Sequence, residues 1–262
     1  MAGFVYIVGA GPGDPGLLTV KGLACLRESE VVIHDRLIDQ RVLREARTDA
    51  EIIDLGKQPG KSHQIQASIN TLLISKAQAG LTVCRLKGGD PFIFGRGAEE
   101  AEVLAKAGIP YDVIPGVSCV SAVPASVGIP LKHRDHSNGF MVLTACHALD
   151  RPQDWTTAAQ FVAAGGTLVI LMGLAVVRMI AQALRKAGCL DSTPLAIISS
   201  GTLPEQEACI GTLRDVPGEV ERLTSPALII VGSVISAANR SFGRFISTHT
   251  YFKQRRDWIE AS

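Results

Sequence analysis

Short apolar runs alternate with helical patterns through the first half of the chain. Residues 4–8, 30–34, 51–54, 81–86 and 111–114 read as strands, and residues 19–27, 64–77 and 98–107 as helices. That alternation predicts a mostly parallel sheet covered by helices. A second α/β lobe starts near Pro115, with strands over 140–144, 167–171, 195–199, 208–213 and 227–231. Its helices fall at 153–163, 174–187 and 215–221. Two neighbouring strand patterns, 195–199 and 207–213, predict an antiparallel element and a mixed second sheet. The expected division is an N-terminal lobe over 1–114, a C-terminal lobe over 115–240 and a tail over 241–262.

Composition narrows the class. The 262 residues are 47% apolar, enough for a substantial core and against disorder. The net charge is +1, so an anionic partner must be met by a local cluster of cations. Six cysteines lie at irregular spacing with no CxxC pair, the pattern of reduced thiols in a cytoplasmic protein. Cys146–His147 lacks the rest of a ligand set, and no metal is expected. The apolar run 4–8 has no basic leader and is too short for a signal peptide. The run 167–184 contains Gly173 and Arg178, and reads as a buried strand followed by a helix, not a membrane span. The tail beyond Asn239 is basic and aromatic, and reads as a docked or dimer-contacting helix in preference to a nucleic-acid-binding arm.

In open α/β sheets ligands sit beyond the carboxyl ends of strands, which directs attention to the loops 9–16, 35–37, 55–61 and 87–97. The first holds four glycines and two prolines in Gly9-Ala10-Gly11-Pro12-Gly13-Asp14-Pro15-Gly16. A dinucleotide GxGxxG fingerprint fails there, because Asp14 stands where the third glycine belongs and the prolines remove N–H donors. A rigid loop that lets a ligand approach the backbone fits better than a plain turn. The fourth, Lys87-Gly88-Gly89-Asp90-Pro91-Phe92-Ile93-Phe94-Gly95-Arg96-Gly97, combines close backbone approach at Gly88-Gly89 with an acceptor at Asp90. Lys87 and Arg96 offer charge for carboxylates.

These loops, with Asp35-Arg36-Leu37, Gly56-Lys57, Pro115-Gly116-Val117-Ser118, His133-Arg134-Asp135, Met172-Gly173-Leu174 and Gly201-Thr202, resemble the tetrapyrrole methylases. Among them they are similar to the uroporphyrinogen-III C-methyltransferases. The resemblance runs over about residues 4–238. It implies two α/β lobes with S-adenosyl-L-methionine in the cleft between them, in a homodimer. The cofactor positions it implies are Pro12, Gly88, Gly89, Asp90, Ile93, Ser118, Cys119, Met172 and Gly201. Asp35 and Lys57 take the proposed acid–base roles. The chain departs from the family at Ser118-Cys119, Ser62-His63 and Thr144-Ala145-Cys146-His147.

The implied reaction places a methyl group on electron-rich ring carbons of uroporphyrinogen III, at C2 and C7, giving precorrin-2, the precursor of siroheme and cobalamin. It needs alignment of carbon and sulfur, a route for a proton, and cations for the substrate's carboxylates. Asp35 ends the second expected strand and reads either as the base or as half of a surface ion pair, with Arg96 as the competing proton-handling group. Arg36, Lys87, Arg96, His133 and Arg134 are the candidates for holding carboxylates, all expected in loops. The alternatives are a methyltransferase of the same fold acting on a later corrin precursor, ribosomal RNA ribose or diphthamide, and a non-catalytic tetrapyrrole- or nucleotide-binding regulator.

Overall fold

Parallel strands covered on both faces need near-continuous apolar runs, and the first sheet is built from them. The computed structural model describes residues 3–55, 62–145 and 154–242. The chain divides into two compact units, Met1–Cys119 and Val120–Ser262. In the first, β1 (Phe4–Gly9), β2 (Val31–His34), β3 (Glu51–Asp54), β4 (Thr82–Lys87) and β5 (Tyr111–Ile114) form one sheet in the order β3-β2-β4-β1-β5. Every neighbouring pair is parallel. The helices are α1 (Val20–Glu28), α2 (Gln40–Leu43), α3 (Ser62–Gln78) and α4 (Gly97–Lys106), and α5 (Cys119–Ser126) begins at the unit boundary. The start of α1 is set by Thr19, whose Oγ1 accepts the Gly22 N–H at 3.0 Å.

Side chains alternate across a strand, so one face of this sheet carries Val5, Ile7, Val31, Ile33 and Val83, packed with Ile69, Leu73 and Leu104 from α3 and α4. The other carries Val8, Val32, Cys84 and Leu86, packed with Leu26 of α1 and Val42 of α2. Ile7, Ile33 and Leu86 are fully buried, each worth about 1.5–3 kcal/mol of transfer free energy. Because all five strands run the same way, their carboxyl ends share one edge, and the connections after β1, β2, β4 and β5 begin there.

The second unit contains β6 (Phe140–Thr144), β7 (Thr167–Leu171), β8 (Pro194–Ser199), β9 (Glu207–Thr212) and β10 (Ala227–Val231), in the order β6-β7-β10-β8-β9. Only β6 and β7 pair in parallel; the other pairs are antiparallel, as the sequence pattern anticipates for a mixed sheet. The helices α6 (Thr156–Ala163), α7 (Val177–Lys186) and α8 (Val234–Phe242) belong to this unit.

Two helix expectations change. Residues 215–221 do not form an α-helix, and only a 3-10 turn, Gly218–Arg222, occurs. Asp215 is committed to the turn after β9, its carbonyl accepting the Thr212 N–H at 3.2 Å, and Pro217 holds an extended ψ of 141°. The pattern 174–187 splits into a 3-10 turn, Leu174–Val176, and α7. α5 escapes the sequence pattern because Pro124 lies inside it.

Candidate active site

Glycine packing draws the strand-end loops of the first unit together. Gly11 and Gly89 form an isolated bridge, with Gly89 N–H donating to Gly11 O at 2.7 Å and Gly11 N–H to Gly89 O at 3.3 Å. A Cβ on Gly9 would stand 2.6 Å from Gly116 Cα, and one on Gly116 only 2.2 Å from Gly89 O. No side chain fits in that junction of the β1, β4 and β5 loops. Gly88 is different: a Cβ there would meet no described atom within 4 Å, so packing among the described residues does not require glycine at 88. The expected reason, backbone approach by a ligand, is left as the physical argument for it.

Asp90 is already engaged within the loops. Its Oδ1 accepts the Phe92 N–H at 2.8 Å and its Oδ2 the Gly116 N–H at 3.2 Å, which ties the β4 loop to the β5 loop. Asp14 likewise turns back on its own loop and accepts the Gly16 N–H at 2.8 Å. The backbone N of Cys119 lies 3.8 Å from where a Cβ on Gly89 would stand. Pro12, Gly88, Gly89, Asp90, Ile93, Ser118 and Cys119 therefore belong to one set of connected loops.

Beneath this edge lies a buried polar network that the sequence reading missed. Arg85 and Lys87 share the strand face of Val83, toward α3 and α4. Both are nearly inaccessible, at 1% and 2%, and Glu100 of α4 is at 0%. Glu100 Oε1 accepts from Lys87 Nζ at 2.9 Å, Gln66 Nε2 at 3.0 Å and Arg85 Nε at 3.2 Å. Arg85 Nη2 reaches outward to pair with the Asp35 carboxylate. Asp35 is the first residue past β2, and its N–H donates to Leu86 O at 3.1 Å. Its side chain is 28% exposed, so the carboxylate is both anchored and open to the rim. A polar residue within a buried parallel strand demands a partner, and Arg85 between Cys84 and Leu86 was the signal that pointed to a carboxylate on the covering helix.

Lys87 was expected in a loop, holding a substrate carboxylate. It is instead the last residue of β4, and its ammonium is spent on Glu100. Burial, followed by the nearby Arg85 charge, lowers its pKa below the ordinary lysine value. Arg36 is exposed beside Asp35. Arg96 takes a left-handed backbone, φ 59°, and its guanidinium pairs with Glu99 at 2.6–2.9 Å. Lys57 lies outside the described residues, as do Cys146 and His147.

The remaining candidates belong to the second unit. Met172 follows β7 and Gly201 follows β8, the two strands that flank β10. Met172 is 54% exposed with φ 56°. Arg134 is exposed, and the His133 ring lies 5.0 Å from that of His136. Among the described residues the non-glycine positions with positive φ are Phe94, Arg96, Met172, Ser200 and Thr202. All five stand in loops after β4, β7 or β8.

Residues 5–217 match the family model of the Tetrapyrrole (Corrin/Porphyrin) Methylases. The chain belongs to the tetrapyrrole methylases. Among curated tetrapyrrole methylase relatives, siroheme synthase 2 of Aeromonas hydrophila is 44% identical over 239 residues, 91% of this chain and 50% of the relative. Siroheme synthase of Edwardsiella ictaluri is 45% identical over 238 residues, 91% and 51%. The chain thus spans about half the length of these relatives. A solved uroporphyrin-III C-methyl transferase from Thermus thermophilus, complexed with S-adenosyl homocysteine, is 36% identical with a TM-score of 0.77, covering 90% of this chain and all of that one. A cobalt precorrin-4 methyltransferase shares the fold at a TM-score of 0.78 and 24% identity, covering 88% of this chain and 95% of that one. The tetrapyrrole methylase fold, two α/β lobes each with its own sheet, is the one anticipated from the sequence.

Proposed function

We propose that this tetrapyrrole methylase transfers methyl groups from S-adenosyl-L-methionine to C2 and C7 of uroporphyrinogen III, giving precorrin-2. The observation that carries the reading is Asp35: a carboxylate held by Arg85 at the carboxyl edge of a parallel sheet, on the rim that also bears the Gly11–Gly89 bridge. Support comes from the Thermus thermophilus protein, whose full length this chain covers and which is complexed with S-adenosyl homocysteine.

The donor, when bound, supplies a methyl group on a sulfonium and leaves as S-adenosyl homocysteine as the new carbon–carbon bond forms. Pro12, Gly88, Gly89, Asp90, Ile93, Ser118 and Cys119 are the donor-holding residues of the first unit; the corresponding candidates of the second are Met172 and Gly201. Their task is alignment, which contributes up to about 7–11 kcal/mol in well-oriented reactions. Asp35 accepts the proton that the substrate loses on methylation, and Arg85 keeps Asp35 oriented. Lys57 is the complementary acid. Arg36, Arg96, His133 and Arg134 bind the substrate's carboxylates. Lys87 leaves that set and acts from beneath, through Glu100.

Incubation of the purified protein with uroporphyrinogen III and labelled donor tests this. Two labelled methyl groups per macrocycle, with a matching release of S-adenosyl homocysteine, are expected. A macrocycle recovered without label would overturn it. The proposal extends to a homodimer in the cytoplasm, in keeping with the free thiols at Cys25, Cys84, Cys119, Cys189 and Cys209. A single monomeric species in sedimentation would contradict the dimer. No helix among the described residues is long and apolar enough to cross a membrane.

A further inference from the structure

The loop from Ser200 to Gln206 in the second unit holds a costly backbone. Ser200 has φ 50° and Thr202 has φ 71°, and a β-branched residue is a poor occupant of the left-handed region. Such strain persists only where surrounding contacts impose it. Here one oxygen does much of that. Gln206 Oε1 accepts the Thr202 N–H at 2.6 Å and stands 2.6 Å from the Ser126 hydroxyl, whose one proton it shares with Val123 O at 2.8 Å. The loop is thereby pinned to the C-terminal end of α5. Next to the pin, Gly201 lies flat on the same helix: a Cβ there would stand 2.4 Å from Val123 Cγ1. The Ser200 N–H donates to Pro226 O at 2.9 Å, which fixes the other side of the loop.

From this geometry we infer that Gln206 is a positioning residue for the methyl donor, its side-chain oxygen locking the strained Ser200–Thr202 backbone against α5 so that Gly201 is presented to the donor in one conformation. The inference rests on the reading of Gly201 as a donor contact. Gln206 itself need not touch the donor. It acts by removing alternative conformations of the loop before binding, so affinity no longer bears the cost of ordering it. The required feature is an acceptor at this position, not an amide.

The chemistry separates two substitutions. Gln206→Glu keeps an oxygen that accepts both bonds, whereas Gln206→Leu is similar in size and keeps none. Binding of S-adenosyl homocysteine to the full chain is measured by titration calorimetry, alongside the KM for each substrate. Gln206→Leu should weaken binding by about tenfold and raise the KM for the donor, with the KM for the tetrapyrrole unchanged. Gln206→Glu should restore binding to within about twofold of the parent chain. Ser126→Ala, which removes one of the two bonds and disturbs the fold least, should weaken donor binding by about threefold. Donor binding unchanged in both Gln206→Leu and Ser126→Ala would overturn the inference, as would a Gln206→Glu chain as impaired as Gln206→Leu. A parent chain that binds no S-adenosyl homocysteine at all would overturn both the inference and the donor-site reading beneath it.

Discussion

Asp35 is interesting because of what lies behind it. Four charged residues, Asp35, Arg85, Glu100 and Lys87, run from the rim into the core as two cations and two carboxylates, so the set is neutral only when the rim carboxylate is counted with the buried three. The rim carboxylate is held by Arg85, which Glu100 of α4 holds in turn. Asp35→Asn keeps nearly the same shape and removes the proton acceptor, and it should lower turnover about 10²–10⁴-fold while leaving S-adenosyl homocysteine binding intact. Initial rates and calorimetry on the same preparation check this, and full turnover would remove Asp35 from the chemistry. Lys87 makes a second prediction, on stability. Its pKa is lowered by burial and by Arg85, so between that value and the ordinary 10.5 the unfolded chain holds a proton that the folded chain has released. Stability attributable to Lys87 therefore rises with pH across that interval. The urea midpoint of the parent chain relative to Lys87→Met should increase as the pH rises toward 10.5, and a decrease would contradict the assignment.

At the level of elements, most of the strands were legible because a parallel, doubly covered strand is an uninterrupted apolar run and little else in the chain looks like one. β2, with Val31–His34 buried throughout and parallel to both its neighbours, is the plainest case. α5 was hidden by Pro124, and the 3-10 turn at Gly218–Arg222 by a helical composition whose first residue, Asp215, the turn after β9 had already claimed. The loops announced themselves through glycine, but not which glycine serves packing and which serves a ligand. That division depends on how β1, β4 and β5 lie side by side. It separates two substitutions of equal size. Gly116→Ala drives a methyl to 2.2 Å from Gly89 O and should cost about 1–3 kcal/mol of folding stability. Gly88→Ala meets nothing within 4 Å, and should melt like the parent while binding S-adenosyl homocysteine at least about tenfold more weakly. Thermal melts and calorimetry on the two variants distinguish them; the reverse pattern would contradict the roles given to these loops. Arg85 asks for a carboxylate on the covering helix but not for which one: Glu99 and Glu100 look alike until the register of α4 on β4 turns one inward.

For the molecule as a whole, a net charge of +1 would leave recognition of the proposed polyacidic substrate to a few placed cations, and Arg36, Arg96 and Arg134 stand in loops instead of on a broad basic face. The two units contribute different things. The first combines the glycine junction with an anchored carboxylate; the second offers Met172 and a strained loop bearing Gly201. The chain covers the whole of the Thermus thermophilus enzyme but about half of the siroheme synthases, so what it shares with both is the methylase portion. The claim on which the account turns is that the donor is held by the strand-end loops beside Asp35. A crystal structure of the chain with S-adenosyl homocysteine measures that directly. The account predicts the ligand in contact with the backbone of Gly88 and Gly89, on the same rim as the Asp35 carboxylate; a ligand found elsewhere, with these loops unengaged, would contradict it.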